Sequence, residues 1–278
     1  MCGLELPWPG KLHAHDDKWL LSHLNPRWDL VVSDIGGTVG RVSADRHYGL
    51  ASRDSAGRTH ALREAERLCT DVERLNQAFG RQAVIAVELH SAPLASLGTS
   101  DALAESLREL SEWDWGGAQL LIEHCDSLVN EQTPEKGYLG LHDELRALRT
   151  LPSIGLSLNW GRSAIELRNA DRVIDHVSQA RTAGALRALI FSGVAASANA
   201  FGEAWSDLHL PFAPTPGFGG SEAESLMTQS AASKALAEAG ALDWVGLKLG
   251  FRPVDGPVEH RVHMISESIR LLQDAAPK

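Results

Sequence analysis

Cysteine is scarce in this sequence. Cys2, Cys69 and Cys125 are all there is, an odd count at unrelated spacings that supports neither a disulfide framework nor a zinc site. That usage fits a reducing compartment, and the expectation is a cytoplasmic protein. Long apolar runs are missing too. None approaches the roughly 20 residues that cross a bilayer, and the opening Met1-Cys2-Gly3 leads into an amphipathic segment without the basic and apolar regions of a secretory signal. Positive charge is short as well: 26 Lys plus Arg stand against 36 Asp plus Glu, for a formal charge of −10, and there is no dense basic cluster. This argues against nucleic acid or an anionic membrane as the main partner, because both need a positive surface. The sequence holds no Gly-x-Ser-x-Gly and no His-Glu-x-x-His, which removes the simplest serine-hydrolase and zinc-protease readings. Small or neutral ligands are the partner class that remains.

What is present is an alternation. In 278 residues, 44% of them hydrophobic, short apolar stretches recur, each followed after a polar loop by a segment of helical period. The strand candidates are 3–7, 30–34, 48–52, 84–90, 119–123, 154–159, 187–192 and 245–249. Helices are expected over 16–24, 59–78, 101–113, 138–149, 164–180, 222–239 and 257–272, while the connection 36–47 carries no clear pattern. Eight strands alternating with helices predict a closed (β/α)₈ TIM barrel, a single α/β domain over residues 1–278, with a doubly wound open sheet as the competitor. The longest connection, 193–220, carries Phe201, Trp205, Phe212 and Phe218 and three prolines. It reads as an ordered, lid-like loop over the C-terminal mouth.

Side chains alternate between the two faces of a strand, and in such a barrel one face meets the helices while the other lines the interior. With Ile85, Val87 and Leu89 toward the helices, Glu88 and His90 turn inward. The same count sends Glu123, Asn159 and Lys248 inward, and Glu5, Asp34 and Ser192 with them. The expectation is an inward polar ring of Glu5, Asp34, Glu88, His90, Glu123, Asn159, Ser192 and Lys248, where barrel enzymes place their chemistry. The alternative is a polar plug whose members satisfy one another.

Other motifs read more plainly. His13-Ala14-His15 follows Pro9-Gly10, so Asp16 is a helix cap beside solvated histidines. Gly36-Gly37-Thr38-Val39-Gly40 fits neither a dinucleotide nor a Walker spacing and is expected to be a turn. Ser221 with Glu224 matches a capping box, which predicts a helix start there. In Glu123-His124-Cys125-Asp126, parity puts His124 on the other side from Glu123. Trp160, Arg162, Trp205, Asp207 and His209 pair indole faces with polar groups, a combination suited to sugar-like ligands.

Glu123 at a strand end, Leu156-Ser157-Leu158-Asn159-Trp160, and the ends at Ser192 and Lys248 together resemble the xylose-isomerase-like TIM-barrel superfamily. Glu88-Leu89-His90-Ser91-Ala92-Pro93, Asn159-Trp160-Gly161-Arg162-Ser163 and Trp205-Ser206-Asp207-Leu208-His209-Leu210-Pro211 are similar to a bacterial branch of it that has no assigned activity. In the metal-dependent isomerases and epimerases of that superfamily, the last four strands present Glu, Asp, His and Glu to one divalent ion. Here Glu123, Asn159, Ser192 and Lys248 stand at those places, and protonated Lys cannot ligate a cation. The resemblance therefore implies a carbohydrate-sized pocket without the usual metal, and no cofactor is expected. The first expectation is a metal-independent isomerase or epimerase, with a lyase or aldolase as the second class. Lys248 would polarise a carbonyl, Glu123 or Glu88 would move the proton, and Asn159 and His90 would orient hydroxyls. The alternatives are a displaced divalent-metal site at Glu88, His90 and Glu123, and a non-catalytic sugar or metabolite binder.

Overall fold

The computed structural model describes residues 2–129 and 132–276. Two compact units are present: Met1–Leu128 with Lys136–Leu156, and Val129–Glu135 with Ser157–Lys278.

In the first unit four strands pair in parallel in chain order: β1 (Gly3–Pro7), β2 (Asp29–Ser33), β3 (Val84–Leu89) and β4 (Gln119–His124). Register sets Glu5 beside Val31, Ser33 beside Glu88, and Glu88 beside Leu121, so these side chains share one face. The helices are α1 (Asp17–His23), α2 (Ile35–Ala44), α3 (Ser55–Phe79), α4 (Ser100–Ser111) and α5 (Leu141–Leu148). Local chemistry sets their ends. Asp16 caps α1 by accepting from Trp19 N, Asp54 caps α3 and Thr99 caps α4, while Gly80 ends α3 in the left-handed conformation at φ 63°. Leu103, Leu107 and Leu110 of α4 recur on one helical face and are fully buried. The start of the chain is tied to the middle of α3. The Trp8 indole donates to Asp71 (2.8 Å), and Arg74 bridges Asp71 (2.6 Å) and Asp17 (2.8 Å).

Strand β5 (Gly155–Asn159) runs from the first unit into the second. There follow α6 (Trp160–Leu167), a 3₁₀ turn (Ala170–Arg172), α7 (Val173–Thr182), β6 (Leu186–Phe191), α8 (Gln229–Ala239), β7 (Trp244–Leu247) and α9 (Val258–Ala275). Strands β6 and β7 pair in parallel.

Four expectations need correction. Among the described residues there are seven strands, not eight. Segment 48–52 is apolar because it is packed, not because it extends: Tyr48 N donates to Asp45 O in a turn. Gly49, at φ 151°, lies so close to Ala92 that a Cβ there would sit 2.1 Å from its carbonyl oxygen. The supposed turn at Gly36–Gly40 is part of helix α2, whose first turn follows Asp34. The single helix expected over 164–180 is broken, since Arg168 turns left-handed at φ 47° and Asn169 accepts from the N–H groups of Asp171 and Arg172. Helix α8 starts at Gln229 behind the cap Thr228, so Ser221 lies in the loop before it. Loop 193–220 is ordered around buried Val194, Phe201, Leu210 and Phe212, and Gly193 and Leu210 exchange two backbone hydrogen bonds.

Candidate active site

In the first unit three of the sequence-selected residues meet. His90, just past β3, has its Nδ1 2.6 Å from Asp34 Oδ1 and its Nε2 2.9 Å from Glu123 Oε2. The His90 and Glu123 side chains are fully buried, and that of Asp34 is 14% exposed. Burial by itself would depress the imidazole pKa, but the bonds to Asp34 and then Glu123 outweigh it and raise the pKa to about 9. At neutral pH the ring is therefore a cation holding both protons, one toward each carboxylate. Glu123 is placed by the parallel register, in which Leu89 pairs with Ile122 and the next step aligns His90 with Glu123. Asp34 arrives differently. Strict alternation puts Ser33 on the face of Glu88, but the chain leaves the strand at Asp34 (φ −89°, ψ 8°) and turns its carboxylate toward His90. Glu88 is fully buried beside these groups in sequence and register, and Glu5 is half-buried on the same strand face.

Asp34 is itself held by Thr38, whose hydroxyl donates to Oδ2 (3.1 Å) one turn along α2. A cavity of about 10 Å³ lies against Asp34, Thr38, Tyr48 and His90, about enough for the centre of one water. Burial, and then the Asp34 charge, push the Tyr48 hydroxyl well above its ordinary pKa of 10.0, so it stays protonated. A second buried cluster escaped the sequence reading. Glu144, on α5, accepts from Ser91 Oγ (2.5 Å) and lies 2.7 Å from His124 Nδ1, with all three side chains buried. The helical spacing held the clue, since Glu144 is three residues after Leu141 and four before Leu148, on the buried face. The parity argument separated His124 from Glu123, and their partners in this unit do differ.

In the second unit Asn159 caps α6. Its Oδ1 accepts from Ser192 Oγ (2.7 Å) and from Arg162 N (3.3 Å), which fixes the amide orientation because a backbone N–H can only donate. Gly161 makes room for this, since a Cβ there would stand 2.6 Å from both Ser192 oxygens. Trp160 is buried at the start of α6. Arg162, 2% exposed, donates from Nε to Asp207 Oδ2 (3.0 Å), and Asp207 Oδ1 lies 3.2 Å from His209 Nδ1. Trp205 is half-buried with the Arg168 guanidinium 5.5 Å from its ring. Lys248 follows β7, half-buried, with its N–H bonded to Phe191 O (2.9 Å). The sequence selected Arg162, Asp207 and His209 as separate ligand contacts; that they pair with one another was not legible, because a loop has no period to place its side chains. Among the described residues no helix is long and apolar enough to cross a membrane.

The model of a family described as Domain of unknown function (DUF4862) matches residues 1–264. The chain belongs to the DUF4862 family. The uncharacterized protein STM3670 of Salmonella typhimurium is 36% identical over 280 residues, covering 98% of this chain and 86% of the relative. Among solved structures, the DUF4862 chain is similar to an IolI protein with a bound zinc atom (TM-score 0.54, 14% identity, 98% and 96% of the two chains). It is also similar to a D-psicose 3-epimerase in the presence of D-fructose (0.53, 14%, 99% and 88%). A third likeness is to a xylose isomerase domain containing protein of Salmonella typhimurium (0.56, 11%, 97% and 96%). These likenesses show the fold, that of the xylose-isomerase-like TIM-barrel proteins, here with seven strands among the described residues.

Proposed function

We propose that this DUF4862 protein is a metal-independent enzyme of the isomerase or epimerase type, moving a proton on a small sugar or hydroxy-carbonyl compound. The observation that supports this reading is the clasp of His90 between Asp34 and Glu123. A 1,2-proton shift needs a group that takes a proton from carbon and a store that returns it. Asp34 is the member of the clasp that reaches solvent, so it is assigned the exchange with substrate. The His90 imidazolium takes up the proton balance between Asp34 and Glu123, and Thr38 keeps Asp34 aimed. Lys248 is a separate assignment, as the ammonium for negative charge that develops on a substrate oxygen.

Neither Glu123, Asn159, Ser192 and Lys248 nor the displaced set of Glu88, His90 and Glu123 fits the divalent ion that the superfamily carries, and no step is routed through one. Both ring nitrogens of His90 hold protons against carboxylates, so the ring has no lone pair for the displaced site at Glu88, His90 and Glu123. Asn159 Oδ1 already accepts two hydrogen bonds, and a Lys248 ammonium has no lone pair to give. Elemental analysis of protein purified without chelator is expected to find divalent metal well below one per chain. Near-stoichiometric metal, lost in Glu123→Ala, would remove the metal-independent part of the reading.

The direct test incubates the protein in D₂O with dihydroxyacetone, D-fructose and D-xylose, each first checked as a ligand by thermal shift, and follows loss of the C–H signal beside the carbonyl. Wild type is expected to exchange, and His90→Gln to do so about 100-fold more slowly, the lower end of general acid–base contributions. Lys248→Met is expected to keep its fold and lose turnover. A ligand that binds tightly with no exchange would make the protein a binder instead.

A further inference from the structure

We infer that Glu144 is a positioning residue, which ties Ser91 to His124 and so fixes the spacing of His90 and Glu123, the residues that immediately precede those two. The inference rests on the reading above for the chemistry that His90 and Glu123 serve, and its geometry is that of the first unit alone. Strand β3 ends at Leu89, and its register with β4 runs to the pair Leu89 and Ile122. His90 and Ser91 stand beyond that pair, where side chains carry the join. Successive residues turn to opposite sides of an extended chain. On one side His90 Nε2 lies 2.9 Å from Glu123 Oε2. On the other, Glu144 Oε1 accepts from Ser91 Oγ (2.5 Å) and Glu144 Oε2 lies 2.7 Å from His124 Nδ1, with all three side chains buried. The ends of β3 and β4 are thus joined twice, one residue apart.

A carboxylate is a costly choice for this position. Its neighbours on the buried face of α5 are Leu141, Ala147 and Leu148, and an apolar side chain there would pack without desolvating a carboxyl group. What an apolar side chain lacks is direction. Two oxygens with partners on two different strand ends hold those ends at a set distance, and a bond such as that between His90 and Glu123 depends on such support for its geometry. The base of this strut is itself fixed. Asp143 O accepts from Ser100 Oγ at the start of α4 (2.8 Å), Gly137 O accepts from Ala95 N (2.8 Å), and Tyr138 N donates to Asp126 O (3.2 Å). The approach to α5 is thereby bound to the loops after β3 and β4, the same two chain ends that Glu144 joins. The ionisable groups bonded to the His90 ring are Asp34 and Glu123, and Tyr48 lines the cavity beside it. Glu144 acts on the ring by placing Glu123.

The test uses the full chain and three variants, read first without any substrate. Glu144→Leu keeps most of the volume and removes both acceptors. Glu144→Gln keeps the length: its amide oxygen can accept from Ser91, and its NH₂ group can donate to a His124 ring that presents a lone pair at Nδ1. In an NMR titration the wild-type His90 ring is expected to change charge at about 9. In Glu144→Leu it is expected to do so at about 8 or below, because a loosened bond to Glu123 gives up part of what raises it. Glu144→Gln is expected to titrate as wild type does. Ser91→Ala deletes one hydroxyl, is expected to move His90 the same way by a smaller step, and stands in should Glu144→Leu fail to fold. A residue that only filled space would leave His90 unmoved in folded Glu144→Leu. In the D₂O exchange assay with dihydroxyacetone, D-fructose and D-xylose, kcat in Glu144→Leu is expected to fall about 10-fold with KM little changed, the cost of a reacting group displaced by less than about 1 Å. An unmoved His90 in folded Glu144→Leu or, failing that, in Ser91→Ala overturns the inference, as does a Glu144→Gln that behaves like Glu144→Leu. Either result beside normal wild-type exchange leaves the proposed function standing. A moved His90 with no exchange by wild type on any probe keeps Glu144 as the strut and removes the proposed function, and a wild-type His90 that titrates near 6.5 removes both.

Discussion

His90 is a buried cation whose two protons each face a carboxylate, and its charge is tied to folding. Its pKa is raised from 6.5 to about 9, so the folded state binds the proton more tightly than the unfolded chain. The resulting stability is fully present below pH 6.5 and is lost as pH rises through about 9. A shift of that size corresponds to on the order of 3 kcal/mol. Denaturant unfolding is expected to show wild type losing about that much between pH 6.5 and 9, and His90→Gln losing much less; parallel pH profiles would refute the clasp. At this scale the sequence was readable where strands are regular. Alternation along β3 and β4 brought His90 and Glu123 to one face without any knowledge of their partners. Asp34 was selected by the same count for a reason that does not hold, since it reaches His90 through the bend that opens α2. Strand alternation carries no signal for Glu144, which lies on the buried face of a helix.

At the scale of elements, the join of β5 to α6 shows how one residue serves three purposes. Asn159 ends the strand, caps the helix and receives Ser192. Gly161→Ala would set a methyl group 2.6 Å from Ser192 O and Oγ, and overpacking of that kind costs about 1–3 kcal/mol. Thermal unfolding of Gly161→Ala should report that loss, and a variant as stable as wild type would mean that Ser192 is not held against Asn159. Leu107→Ala in α4 removes a fully buried side chain and is expected to cost about 2–5 kcal/mol by denaturant unfolding. Where the sequence misjudged elements, tertiary packing or local capping was the cause. The segment at Tyr48 to Ser52 had the composition of a strand because it is covered. Arg168 and Asn169 broke a helix whose apolar period ran on across the break, which is marked by the left-handed turn at Arg168 and by the hydrogen bonds that Asn169 Oδ1 accepts from Asp171 and Arg172.

For the whole molecule, the alternation of strands and helices was enough to place the chain in the α/β class, and the structural likenesses agree. The eighth strand was an overcount of one apolar segment. Net charge is a whole-chain property, and −10 with acidic residues spread along the sequence leads to an expectation about partners. No retention on heparin, DNA or anionic vesicles is expected at physiological salt, and retention that fell steeply with added salt would contradict it.

The ties from Trp8 to Asp71 and from Arg74 to Asp17 also bear on the order of events during synthesis. They join residues 63 and 57 positions apart, so β1 and α1 leave the ribosome long before the part of α3 that holds them exists. At roughly 5–20 residues per second, the Trp8 indole waits on the order of 3–13 s for Asp71. During that interval Leu6 and Trp8, both buried in the folded protein, are unaccompanied. Residues 8–71 are thus a stretch over which the growing chain benefits from a chaperone or from fast, uninterrupted elongation.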